Sequence, residues 1–257
     1  VSDAAEPVLV ELRDRVLVVT LNRPEARNAV NAAMARGLGA ALDRLDSDPD
    51  VSVGVLAGSG AGFCAGMDLK AFVAGEDATL PGRGFAGIAE CPPRKPLIAA
   101  IEGFAVAGGL EVALACDLIV AARDARVGLP EVKRGLVASS GGLLRLPRCV
   151  PAKFAAELVL TGGLVSAERA ERLGLVNRLA EPGEALEVAL ELAAEIAANA
   201  PLALAASKRV LGEQSDWSLA EAWERQEKIA APVFSSEDCR EGALAFAERR
   251  EPVWRGR

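Results

Sequence analysis

Two glutamates stand among residues that glutamates ordinarily avoid. Glu111 lies inside the apolar segment Leu110 to Cys116, closed by Asp117, and directly follows the pair Gly108-Gly109. A carboxylate in such a run is costly to bury unless it has a partner or a chemical task. Glu131 follows Pro130 in a second glycine-bounded segment, Arg126 to Gly135. Histidine and tyrosine are both absent from the 257 residues. That excludes Ser-His-Asp and Cys-His catalysis and any zinc site built on imidazole, so no metal is expected. An acid–base enzyme of this composition must move its protons with Glu, Asp, Lys or Cys.

The elements that position Glu111 are legible around it. Leu97 to Ile101 is too short for a helix and is flanked by Pro96 and Gly103, so it reads as a buried strand. Strand, glycine turn and helix start together aim free backbone N–H groups at whatever lies above the turn. Upstream, Val8 to Leu21 reads as a hairpin turning near Arg13 to Arg15. Asn22 to Asn31 is a polar loop, and the helix after it carries Met34, Leu38, Leu42 and Leu45 on one face. Asp46 to Asp50 breaks that helix, Val51 to Ala57 is a strand, and Gly58 to Lys70 is a second glycine-rich turn. Gly60-x-Gly62-x-x-Ala65 within it is a weak dinucleotide fingerprint. The strand before it does not open the first βα unit, which argues against a nucleotide dehydrogenase. Residues 75 to 95 are loop-rich, as a lid or a mobile surface excursion would be.

Downstream, Leu118 to Ala122 is a short buried strand and Ser139 to Pro147 a third glycine turn. Lys153 to Leu160, Ala167 to Leu173 and Ala185 to Ala198 read as helices, with a short strand within Gly174 to Leu179. The alternation predicts an α/β core of parallel strands. From Ala200 the strand signals stop. Pro201 suits a first helical residue, Ser218-x-x-Glu221 is a capping box, and Ser235-x-x-Asp238 resembles another. We therefore expect a core over 1–199 and a helical oligomerisation region over 200–257. Trp217, Trp223, Val233, Phe234 and Phe246 in that region cannot all be buried against so small an appendage, so a partner subunit is expected.

Composition bounds the setting. A net charge of −7 gives no basic footprint for nucleic acid. No apolar run reaches the ~18 residues of a membrane span, and no leader is visible before the first strand. Five scattered cysteines, Cys64, Cys91, Cys116, Cys149 and Cys239, fit reduced thiols in a cytoplasmic protein.

Several motifs, in order, carry a family resemblance. They are Asn28-Ala-Val-Asn31, Phe63-Cys-Ala-Gly-Met-Asp-Leu69, Lys95 to Ala100, Gly108 to Asp117, Pro130-Glu131, Gly141-Gly142 with Arg145-Leu146, and Glu171 to Val176. With these the chain resembles the enoyl-CoA hydratase/isomerase (crotonase) superfamily over essentially its whole length. Pro81 to Gly87, Ser140 to Pro147 and Ser236 to Arg257 resemble its carnitinyl-CoA dehydratase branch. The resemblance implies a spiral of ββα units and a helical C-terminal region that assembles a homotrimer, or a hexamer of two stacked trimers. It implies an oxyanion hole from the N–H groups of Met67 and Gly108, and Glu111 and Glu131 as the catalytic pair. Arg27, Ala29, Ala65, Asp68, Leu69 and Lys70 are the implied CoA contacts. Trp254 and Arg255 would reach the nucleotide of CoA bound mainly to a neighbouring subunit. The implied activity is hydration of an enoyl-CoA thioester, with coenzyme A part of the substrate and no separate cofactor. A Δ3-Δ2-enoyl-CoA isomerase and a non-catalytic acyl-CoA binder are the rivals, and the presence of both glutamates favours hydration. Two departures stand out. Ala107-Gly108-Gly109 replaces three glycines, and Val137-Ala-Ser-Ser140 replaces a sequence bearing proline and glycine. A trimethylammonium substrate would favour an aromatic cage or a nearby acid, and only Phe72, Phe85 and Phe104 are candidates for a cage.

Overall fold

The computed structural model describes residues 6–257; residues 1–5, where the expected core and any leader would begin, lie outside the described residues. Strands β1 (Val8–Arg13) and β2 (Val16–Leu21) form the expected hairpin, and α1 (Ala32–Ser47) follows, capped by Asn31, which accepts the Met34 N–H. Next come β3 (Val53–Gly58), a short helix α2 (Leu69–Val73), and a small hairpin of β4 (Thr79–Leu80) and β5 (Gly84–Phe85). The centre holds β6 (Leu97–Ile101), β7 (Phe104–Val106), α3 (Gly108–Leu114), β8 (Leu118–Ala122) and β9 (Arg126–Gly128). After it run α4 (Gly142–Cys149), α5 (Ala152–Thr161), β10 (Val165–Ser166), α6 (Ala167–Arg172), β11 (Arg178–Ala180) and α7 (Ala185–Ala197). The tail is α8 (Pro201–Glu213), α9 (Leu219–Phe234) and α10 (Glu237–Glu248).

The main sheet runs β1-β2-β3-β6-β8-β11, parallel throughout except for the first pair. A second sheet runs β10-β9-β7. Side-chain alternation explains why the main sheet is buried on both faces. Leu17, Val19 and Leu21 face the core shared with α1, α3 and α5, whereas Val16 and Val18 face the other side. There Val53, Val55, Ile98, Ala100 and Val120 meet Ala185, Ala189, Leu192 and Ala193 of α7. Small residues on α7 let the helix lie close to the strands. The α/β arrangement with a helical C-terminal region is the one expected from the sequence.

Several local expectations change. The third glycine turn opens α4, which enters from Gly141 at φ +105° and carries Pro147 in its last turn. The second glycine turn runs into α2, started by Asp68, whose carboxylate accepts the N–H groups of Lys70 and Ala71. The cap of α10 is Ser236 and not Ser235, because Ser235 still ends α9. The Ser218 hydroxyl bonds the Glu221 carboxylate instead of a backbone N–H. Residues 75–95 are no loose excursion: Phe85, Ala86, Ile88 and Ala89 are buried in the main core.

The tail is tied to the core. The Lys208 ammonium donates to the Asp117 carboxylate at 2.6 Å and to the Lys95 carbonyl at 2.9 Å, while Asp117 accepts the N–H of Leu97. At the C-terminal end, buried Asp238 accepts the N–H groups of Arg255 and Gly256, and the Trp254 indole N–H donates to the Ala198 carbonyl at 2.7 Å. Trp223, Phe234 and Phe246 are exposed, joined by Leu211 and Leu219, while Trp217 and Val233 are half-buried. No single helix among the described residues is long and apolar enough to cross a membrane.

Candidate active site

The turn between β7 and α3 is built under steric constraint. A Cβ on Gly109 would collide with the Cys64 carbonyl, and one on Gly66 would lie 2.9 Å from the Gly108 nitrogen. The 66–67 segment and the start of α3 are thus close neighbours, and glycine at 66 and 109 is what permits it. Ala107, which precedes α3, has φ +52° and ψ −132°, a conformation that glycine accepts and alanine adopts only under strain. The N–H of Gly108 lies in the first turn of α3, where no intrahelical acceptor exists. Among the described residues, neither it nor the N–H of Met67 donates to a backbone or side-chain acceptor. Met67 is held in place from both sides, since Val30 donates to the Gly66 carbonyl and accepts from the Asp68 N–H.

Glu111 sits on the first turn of α3 and is 4 % exposed. Its Oε1 accepts the N–H of Gly142, at the N-terminus of α4, at 2.9 Å. Burial raises its carboxyl above the usual range; the N–H groups of Gly142 and Ser140 and the charge of Arg145 pull the other way. Glu131 opens a short 3-10 helix, Glu131–Arg134, entered from Pro130. It is 8 % exposed, and among the described residues neither carboxylate oxygen has a hydrogen-bond partner. Burial pushes it up to about 7; its own N–H opposes that shift and the charge of Glu111 adds to it. An unpartnered buried carboxyl is expensive in a protein that gains nothing by it. Titration near neutrality is what a group that both gives and takes protons needs.

Both glutamates, Met67 and Gly108 line one cleft of about 880 Å³. Of the other residues carried from the family resemblance, Arg27, Ala65, Leu69 and Lys70 also line it. Ala29 and Asp68 lie outside the lining: Ala29 is buried and its carbonyl accepts from Arg23, and Asp68 both caps α2 and pairs with Arg23 at 3.0 Å. Trp254 and Arg255 are also outside it, and the indole N–H is engaged within the subunit. Arg27 owes its place to two consecutive left-handed residues, Arg27 and Asn28. The Asn28 amide locks the bend by donating to the Ser59 and Gly62 carbonyls and accepting the Arg23 N–H.

Phe72, Thr79, Phe85, Arg134, Leu136, Val137, Ser139 and Ser140 also line the cleft. Sequence reasoning gave no site role to Thr79 or Arg134, and the donor at Gly142 went unseen, although Gly141-Gly142 marked a turn. Phe104 packs over Gly62 and does not line the cleft. Cys64 is no nucleophile: burial pushes its thiol up to about 12, and it donates to the Asn28 carbonyl.

The chain is similar to known proteins over nearly its whole length. The pattern of the enoyl-CoA hydratase/isomerase family matches residues 11–257. The carnitinyl-CoA dehydratase of Proteus mirabilis is 42% identical over 253 residues, covering 95% of this chain and 97% of its own. The crystal structure of enoyl-CoA hydratase EchA1 from Mycobacterium marinum is 60% identical, with a TM-score of 0.97, over 98% of this chain and 100% of its own. That of carnitinyl-CoA hydratase from Mycobacterium avium is 45% identical, with a TM-score of 0.79, over 99% and 100%.

Proposed function

We propose that this chain, which belongs to the enoyl-CoA hydratase/isomerase family, is a hydro-lyase that adds water reversibly across the α,β double bond of an enoyl-CoA thioester. The observation that carries the reading is the pair of buried glutamates facing one cleft beside two uncommitted backbone N–H groups. The N–H groups of Met67 and Gly108 donate to the thioester oxygen as charge develops on it. One such donor is worth about 3 kcal/mol of transition-state stabilisation. Glu111, oriented through Oε1 by Gly142, takes a proton from water as the hydroxyl oxygen bonds Cβ. Glu131, protonated near neutrality, delivers a proton to Cα. Hydroxyl and hydrogen enter together, and proton exchange with solvent returns the two carboxyls to their starting states. Dehydration runs the same steps backwards. These steps need an acid, a base and an oxyanion site, so the reading requires no cofactor beyond the coenzyme A of the substrate.

Arg27 and Lys70 serve the coenzyme phosphates in this scheme, since both line the cleft and neither is in an ion pair among the described residues. Arg255 serves the nucleotide held by a neighbouring subunit, with Trp254 fixing the strap that carries it. The exposed Leu219, Trp223, Phe234 and Phe246 support a homotrimer or hexamer built by the tail. Free cysteines, three of them exposed, support a cytoplasmic setting.

Loss of enoyl absorbance on incubation with crotonyl-CoA tests the reaction. Turnover of a 3-enoyl-CoA but not of crotonyl-CoA would instead make the protein an isomerase, and tight binding without turnover would make it an acyl-CoA binder. Light scattering on the intact chain is expected to give three or six copies; a monomer would remove the assembly reading.

A further inference from the structure

We infer that Arg134 decides which acyl groups the cleft accepts: it favours an enoyl-CoA whose acyl chain ends in a carboxylate and disfavours one that ends in trimethylammonium. The inference rests on the hydratase reading and concerns the acyl end of the same site.

The first ground is the inventory of charge. Three cations line the cleft, Arg27, Lys70 and Arg134, against two carboxylates, Glu111 and Glu131. Both carboxylates have work in the reaction, so no acid is left over to meet a cationic acyl tail. The second ground is the aromatic inventory. Phe72 and Phe85 are the aromatic residues of the lining, with no tyrosine or tryptophan among them. A quaternary ammonium is held by a cage of aromatic faces, best made with tryptophan or tyrosine.

The third ground is where Arg134 stands. It is the fourth residue of the 3-10 helix that Glu131 opens. With three residues per turn, side chains three apart eclipse, so Arg134 projects from the Glu131 face one turn further on. Its neighbour Lys133 turns elsewhere and packs against Gly162 of the α5 terminus. Arg27 and Lys70 arise from a different wall, the polar loop and α2. Among the described residues, the Arg134 guanidinium has neither an ion-pair nor a hydrogen-bond partner. Arg148 and Arg178, by contrast, are each paired with a carboxylate. A free, planar fork of donors at a cleft wall matches a carboxylate bidentately and repels an ammonium. Ser139 and Ser140, a few residues on, also line the cleft and carry hydroxyl donors.

The test uses three enoyl thioesters of the same coenzyme: glutaconyl-CoA with a terminal carboxylate, crotonyl-CoA with none, and crotonobetainyl-CoA with trimethylammonium. For the wild type we expect kcat/KM to fall in that order, with about tenfold or more between the first and the last. Arg134→Met should bring the extremes to within about threefold, and Arg134→Glu should reverse their order. Wild-type preference for crotonobetainyl-CoA would overturn the inference. So would an Arg134→Met variant that loses the same factor on all three, because that marks a coenzyme contact. If none of the three is turned over, it is the hydratase reading that fails. Dissociation constants for the same thioesters then rank the acyl preference and decide on Arg134 independently.

Discussion

Replacing Glu131 with glutamine separates chemistry from stability in one variant. Native Glu131 titrates at about 7, against an ordinary value of 4.5. Between those two values the folded state holds a proton that the unfolded chain has released. Stability therefore falls as pH rises through that window, and above it the full cost of a buried, unpaired carboxylate is present. A shift of this size corresponds to roughly 3 kcal/mol, an upper figure because the denatured chain is not fully solvated. Glutamine has nearly the same shape and no charge to desolvate. Glu131→Gln should accordingly be within about 1 kcal/mol of the wild type at pH 5 and about 2–3 kcal/mol more stable at pH 8. The same change removes the proton donor to Cα and should lower kcat with crotonyl-CoA by about 10²–10⁴-fold. Urea unfolding at the two pH values, with turnover on the same preparations, reads both effects. In wild type, hydration should decline as pH rises through about 7, where Glu131 loses its proton. A variant that gains no stability between pH 5 and pH 8, or that turns over like wild type, would refute the reasoning.

Three further outcomes are expected. Ala107→Gly should relieve the positive-φ conformation before α3; strain of about 1–3 kcal/mol is partly offset by the greater freedom of glycine in the unfolded chain, leaving a net gain near 1 kcal/mol. In thermal unfolding that is a rise of roughly 2–4 °C, and a fall would show that the site is not strained. Gly109→Ala drives a methyl group into the Cys64 carbonyl and should cost at least about 2 kcal/mol in urea unfolding, so wild-type stability would be inconsistent with the packing described. Truncation after Glu251 leaves Asp238, 2 % exposed, without the N–H groups of Arg255 and Gly256. It should lower Tm and raise KM for acyl-CoA more than it lowers kcat; an unchanged Tm would dismiss the strap, and an unchanged KM would dismiss the nucleotide contact.

The sequence by itself determined the class of fold and the identity of the chemical groups. Near-continuous burial along β2, β3 and β6, with successive side chains entering the two cores in turn, is a property of residue order, because apolar residues run almost unbroken and successive side chains on a strand face opposite ways. The absence of histidine and tyrosine left carboxylates to carry acid–base work. Glu111 was conspicuous because it interrupts an apolar segment, and glycines at 108 and 109 marked the turn before it. Other local arrangements depend on a neighbour in space. Asp68 followed the family motif, but its carboxylate is taken up by Arg23 and by the first turn of α2. The family resemblance sends Trp254 to a nucleotide, and no signal in the sequence shows that its indole N–H meets the carbonyl of Ala198 56 residues away. Only the tertiary structure could decide the protonation of Glu131. Its side chain is an ordinary glutamate, and what raises it is burial and the charge of Glu111 across the cleft, against the pull of its own N–H. A pKa depends on surroundings within a few ångströms, and those surroundings are assembled from segments far apart along the chain.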